Sequence, residues 1–215
     1  MIRKEARRIL AAGKASAEGS ARHGGAVAAA AGFALEGAGL HFQRSWHEFG
    51  LWAFGREDTA HCERAPFTCG LLRKMIGATG TTVGDIKFSL MQPGTVVRPH
   101  TGPSNQRVRV HLGLEVPAGC CEITVAEESR QWAEGELLCF DDSFGARPAP
   151  PFPSRSCSNS AVTAWPRPPF AEHSVTHKGE AGSEGRLVLI VDFLHPDLEG
   201  KRGEHYVIGR EPPRE

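Results

Sequence analysis

RVRVHLGL, residues 107–114, alternates without a break. Val108, Val110, Leu112 and Leu114 fall on one face of an extended chain, and Arg107, Arg109 and His111 on the other, because successive side chains of a strand point to opposite sides. The aliphatic face belongs to a hydrophobic core. The cationic face has two readings. It is a solvated outer surface, where such residues mostly sit, or it lines a cavity that takes carboxylates, whose two oxygens suit the guanidinium fork.

Working outward, further strand candidates are Ile86–Met91, Cys121–Val125, Glu136–Phe140 and Arg186–Leu194, separated by turn residues such as Pro93-Gly94 and Gly135. Upstream, Trp46, Phe49, Leu51, Trp52 and Phe54 read as a strand packing on the core. Thr68–Ile76 has helical spacing, with Leu71, Leu72, Met75 and Ile76 on one side. Many short strands with few flanking helices indicate an all-β sandwich or jelly roll.

The chain has 215 residues, 40% hydrophobic and 23% charged, which suits one domain with a real core. Lys plus Arg (25) balance Asp plus Glu (25), so the basic surplus of a nonspecific nucleic-acid binder is missing. The longest apolar run, Gly24 to Leu35, has 12 residues and is too short for a membrane span. Residues 1–40 are basic and then Ala/Gly-rich, and composition suggests a disordered N-terminal extension, with a targeting peptide as the competing reading. The globular domain is expected over 41–200, with a tail over 201–215. Residues 145–171 carry seven prolines and lack strand periodicity, so they read as an insertion that does not extend the core sheet.

Six cysteines stand at 62, 69, 120, 121, 139 and 157. No CxxC pair occurs, which excludes a zinc ribbon. Cys62 and Cys69 close a short loop, and spacing alone leaves their pairing open; Cys139 reads as a buried small hydrophobe. His100 and His173 are far apart in sequence but end neighbouring strands, where they could clasp one metal ion. In the facial triad of non-haem iron oxygenases an acid follows two residues after the first histidine. Here that residue is Gly102. Arg186, opening an apolar strand, reads by itself as a surface terminus.

The run KFSLMQPGTVVRPHTGPSNQRVRVHLGLEVP (87–117), then WAEGELLCFDDSF (132–144), EHSV (172–175) and RLVLIVDFLHPDL (186–198), resembles the aspartyl/asparaginyl β-hydroxylases. The resemblance implies a double-stranded β-helix (a jelly roll of cupin type) and a dioxygenase dependent on Fe(II), 2-oxoglutarate and O2. Its substrate would be an Asp or Asn side chain of a protein, EGF-like domains in particular. His100 and His173 match the iron ligands, and Gly102 the place where the family lacks the usual acid. Arg186 matches the partner of the distal 2-oxoglutarate carboxylate, with Ser89 assisting, and His111 the histidine near the other carboxylate. Arg109 matches a residue facing the substrate's acid, with Arg107 a weaker candidate. Asp141 and Asp142 are read as structural. WHEFGLWAFG and CERAPFTC resemble the vertebrate-type catalytic domain, which implies a Cys62–Cys69 disulfide. That bridge favours the endoplasmic reticulum lumen or secretory pathway over the cytoplasm. Relatives acting on a lipid or proline, and a catalytically impaired binding module, are the rival readings. The second has force because residues 145–171 interrupt FDDSF–EHSV just before His173, as a tolerated loop or as retained intronic sequence. Deleting them is expected to preserve or raise iron affinity.

Overall fold

Strong alternation and frequent turns leave this chain little choice but paired sheets. In the computed structural model the described residues are 1–16, 24–36, 41–42, 46–104, 106–125, 128–142, 162–164, 173–178, 184–195 and 198. Their elements, in chain order, are α1 (Ile2–Ser16), α2 (Gly24–Ala30), β1 (Ala34–Leu35), β2 (His41–Phe42), β3 (Trp46–Ala53), β4 (Arg56–Glu57), α3 (Thr59–Arg64), α4 (Pro66–Leu72), α5 (Ile76–Thr79), β5 (Asp85–Met91), β6 (Val96–His100), β7 (Arg107–Glu115), β8 (Cys121–Val125), β9 (Glu128–Gln131), β10 (Leu137–Phe140), β11 (Val162–Ala164), β12 (His173–His177) and β13 (Arg186–Leu194).

The larger sheet runs β1-β3-β5-β13-β7-β10-β11, with β4 on β3; the smaller runs β2-β6-β12-β8-β9. From β5 to β8 consecutive strands alternate between the two sheets, and β10, β12 and β13 do so again. All pairings among these core strands are antiparallel. This winding is a double-stranded β-helix, the expected jelly roll.

β13 lies centrally in the larger sheet and is buried on both faces, which explains its continuous apolar run. Leu187, Leu189 and Val191 pack with Phe49, Phe88 and the helices. Val188 and Ile190 join Met91, Val97, Ile123, Trp132 and Phe140 between the sheets. The cationic face of β7 therefore points inward: Arg107, Arg109 and His111 are all buried.

Four expectations need correction. The N-terminal residues are not a disordered extension where they are described. Ile2, Ala6, Ile9 and Gly13 form a helical stripe, and Ala6 and Ile9 lie in the core with Ala28, Ala31 and Phe33. A side chain on Gly13 would come within 2.5 Å of Ala31 Cβ, so the small residues that look unable to pack are what lets the two segments touch. The carboxylate of Glu5 accepts from the backbone N–H groups of Phe67 and Thr68, both at 2.8 Å, at the start of α4. Buried Lys87 pairs with Glu36 and with Glu48, the latter at 2.6 Å.

The single helix expected over Thr68–Ile76 is two, α4 and α5. Only Leu72 of its expected apolar side is buried; Leu71, Met75 and Ile76 are exposed. Cys69 faces inward instead, bridged to Cys62 within α3 with Cα atoms 5.6 Å apart. Phe54 leaves the core too, since the chain turns there at φ 51°. Finally, the proline-rich segment does extend the larger sheet. Val162–Ala164 pairs in parallel with Leu137–Cys139 at its edge, in a proline-free window between Pro153 and Pro166 and where missing ladder donors matter least. The remainder of 145–171 and the tail over 201–215 lie outside the described residues.

Candidate active site

β6 and β12 are neighbours in the smaller sheet, and their register makes His100 and His173 direct Cα partners. Two histidines 73 positions apart are thus brought opposite one another by one ladder. His177, the alternative on the same strand, lies opposite Cys121 instead. The His100 Nδ1–H donates to Arg98 O at 2.8 Å, which leaves the lone pair on Nε2, the arrangement a metal-ligating imidazole uses.

Gly102 has no space for a side chain: a Cβ there would sit 2.5 Å from the Asp142 carboxyl carbon. Asp142 reaches that space from the end of β10, and its backbone carbonyl accepts from Gly102 N–H at 2.5 Å. The ladder thus sets His100 and His173 at opposed backbone positions, with the Asp142 carboxylate filling the space beside Gly102.

Arg107 and Arg109 meet this carboxylate from β7. Arg107 donates to Asp142 at 2.7 and 3.2 Å and to Asp192 at 3.0 Å. Arg109 grips Asp192 with two bonds of 2.8 and 2.9 Å. Asp192 also accepts from Asp85 N–H at 3.0 Å, and a side chain on Gly84 would collide with its Cβ. Burial alone would lower the pKa of Arg109, but Asp192 and Asp142 outweigh it and raise it. Burial likewise works against the charge on Asp192, and Arg109 and Arg107 still hold it below the usual carboxylate range. The carboxylates expected from outside are, for these two arginines, supplied by the protein itself.

Arg186 stands differently. It is 1% exposed, its Nε and Nη1 have no hydrogen-bond partner among the described residues, and Nη2 reaches only Ser89 Oγ, at 3.4 Å. The same hydroxyl accepts from Trp46 Nε1–H at 2.8 Å. Burial brings Arg186 down to about 10, partly offset by the charge of Glu36. Its guanidinium lies 4.4 Å over the ring of Trp132, whose indole N–H donates to His111 Nδ1 at 3.3 Å. That bond puts the His111 proton on Nε2. Trp132 stacks on the imidazole with ring centroids 5.9 Å apart, and Phe140 meets it edge-on at 5.1 Å. A buried cation with two nitrogens unpartnered among the described residues, beside a hydroxyl and a donating imidazole, has the chemistry to take a carboxylate.

A family model described as aspartyl/asparaginyl beta-hydroxylase matches residues 1–145. The chain belongs to that family. The match includes the N-terminal helices and ends where the proline-rich segment begins. The aspartyl/asparaginyl beta-hydroxylases of mouse and human are each 40% identical over 166 residues, covering 77% of this chain and 18% of theirs. The aspartate beta-hydroxylase domain-containing protein 2 of Xenopus tropicalis is 34% identical over 154 residues, covering 71% of this chain and 34% of its own. The chain therefore spans well under half of these relatives. Among solved structures, a Pseudomonas putida prolyl-4-hydroxylase aligns over 87% of this chain and 86% of its own, with 15% identity and a TM-score of 0.41.

Asp192, Trp132 and Trp46 were not singled out from sequence as site residues. Asp192 is the one polar residue inside RLVLIVDF after its first arginine, a signal that it needs a buried partner. Trp132 lies in the WAEGELLCFDDSF run, but nothing in the run says that its ring joins Arg186 to His111.

Proposed function

We propose that this chain is the catalytic domain of a hydroxylase that uses Fe(II), 2-oxoglutarate and O2 to hydroxylate the β-carbon of an Asp or Asn side chain in a protein substrate. The observation that carries the reading is Arg186, a guanidinium buried between the sheets with two nitrogens lacking partners among the described residues. An uncompensated buried cation is costly, and a dicarboxylate co-substrate removes that cost. Arg186 and Ser89 would take its distal carboxylate. His111 would offer its Nε2 proton to the other, held in that tautomer by Trp132. His100 and His173 would hold iron, and Asp142, fixed by Arg107, would orient water beside Gly102. Bound there with 2-oxoglutarate and O2, iron would supply the oxidising chemistry that inserts one oxygen atom into a C–H bond, the other going to succinate as carbon dioxide is released. The protein's own part is to position both partners and exclude bulk water.

Arg109 would meet the substrate's acid, with Arg107 behind it. The internal pairing with Asp192 is the observation that favours a second reading, a related hydroxylase whose substrate is not acidic. The Cys62–Cys69 disulfide supports a secretory-pathway setting; protein isolated from its native compartment with both thiols free would remove that inference. Among the described residues no helix is long and apolar enough to cross a membrane.

The deciding experiment is succinate formation from 2-oxoglutarate with Fe(II), with and without an acidic EGF-like peptide, followed by peptide mass spectrometry. The expected result is peptide-stimulated turnover and a single added oxygen on Asp or Asn, lost in His100→Ala and in His173→Ala. Full turnover in His173→Ala with loss in His177→Ala would overturn the ligand assignment, and oxidation at proline would favour the second reading.

A further inference from the structure

Away from the paired histidines, the smaller sheet gathers a second set of metal-binding atoms. Cys120, Cys121 and His177 are all buried, and one ligand atom from each lies within 4.8 Å of the other two. The backbone fixes this meeting. Cys121 and His177 are Cα partners across β8 and β12. Cys120 N–H donates to Pro117 O at 3.1 Å, a tight turn that brings its sulfur round to that of its neighbour, while Cys120 O accepts from Lys178 N–H at 2.6 Å. His177 is anchored from the other side, its N–H donating to Thr95 O at 2.9 Å and its carbonyl accepting from Gly94 N–H at 3.0 Å. A hydrogen bond to the backbone of Glu184 also holds the imidazole.

In the structure the two sulfurs are joined as a disulfide. We propose that this disulfide is the closed form of a redox-gated site, and that its reduced form binds a zinc-class divalent cation through Cys120, Cys121 and His177. Opening takes two electrons and two protons from a dithiol reductant. The S–S bond breaks, both cysteines become thiols, and the reductant leaves as its own disulfide. Binding of the cation then releases the two thiol protons, since the thiolate is the ligand. Two thiolates and an imidazole suit a soft or borderline ion, and three protein ligands leave the fourth tetrahedral position open.

The test uses Co(II) alone as probe on the full chain. After reduction, with Cys120 and Cys121 shown free by mass mapping, cobalt should give thiolate-to-metal charge-transfer absorption. The same protein with its disulfides intact should give none. Cys120→Ser and Cys121→Ser should each lose most of the band, and His177→Gln should weaken binding by roughly tenfold or more, the scale seen even for groups behind the ligands. Because these buried positions tolerate change poorly, the wild-type protein supplies a second readout: cobalt should slow alkylation of Cys120 and Cys121. No band and no protection in the reduced wild type would overturn the proposal. So would a band of full strength in a folded Cys120→Ser/Cys121→Ser double variant, which would assign it to other cysteines.

Discussion

Two groups of arginine line the space between the sheets, and the protein treats them in opposite ways. Arg107 and Arg109 are locked to Asp142 and Asp192. Arg186, on the neighbouring strand and equally buried, has among the described residues only the hydroxyl of Ser89 and the face of Trp132. The pKa of Arg109 rises and that of Arg186 falls to about 10. Burial is common to both, so the difference lies in the carboxylates. A buried cation that carries its own counter-ions is architecture. One without them is the exception that the proposed co-substrate would remove.

The largest effect should come from breaking the compensated group. Asp192→Ala leaves two buried guanidiniums short of a partner and should destabilise the domain by about 3–5 kcal/mol, as removal of one member of a buried pair does. Urea unfolding measures it, and a loss below about 1 kcal/mol would mean that the network contributes little. Acid should reproduce the effect. Asp192 has a native pKa below its unfolded value, so its contribution is fully present above about pH 4 and is lost as pH falls through the lowered native value. Asp192→Asn should flatten that part of a stability–pH curve.

Arg186→Met should do the reverse. It removes an uncompensated charge, so the melting temperature should not fall. Losing its charge-assisted bonds should instead weaken 2-oxoglutarate by about 1.5–3 kcal/mol, roughly ten- to a hundredfold. A titration with the co-substrate separates the outcomes: unchanged affinity with lost stability would make Arg186 architecture too.

The same contrast recurs more weakly on α1. Glu5 is buried and caps α4, and Glu5→Ala should cost about 1 kcal/mol, the usual worth of a helix cap. Arg7, which pairs with Glu115 in solvent, should be replaceable by alanine with no measurable change, because exposed pairs contribute little. Thermal melts of both variants compare them directly; equal losses would mean that α1 is held by surface charge rather than by its buried carboxylate.

Strand identity was legible because period-two alternation is a local property. Cys121–Val125 and Arg186–Leu194 were placed to the residue. Arg107, Arg109 and His111 could be put on one face from sequence, but alternation cannot say whether that face is wet or dry; that depends on β13 and β10 flanking β7. Likewise, the partners of the two arginines are 35 and 85 positions away for Arg107 alone, beyond any local pattern. The N-terminal helices were misjudged for a related reason. Low hydrophobicity suggests disorder, yet Ala6, Gly13, Ala28 and Ala31 stabilise by close approach rather than by bulk. The adjacent cysteines gave no hint of a bond between them, since neighbours on a regular strand point apart.

β12 is gripped on both sides. Five consecutive residues pair with β8, and the other edge pairs with β6, where a register shift between His173 and Val175 absorbs the irregularity. Sliding by one position would turn the strand's inward side chains outward, so its placement is all or nothing. A strand held in this way filters what arrives from upstream. The station of the residue at the start of β12 is set by its two neighbours in the ladder, β6 and β8.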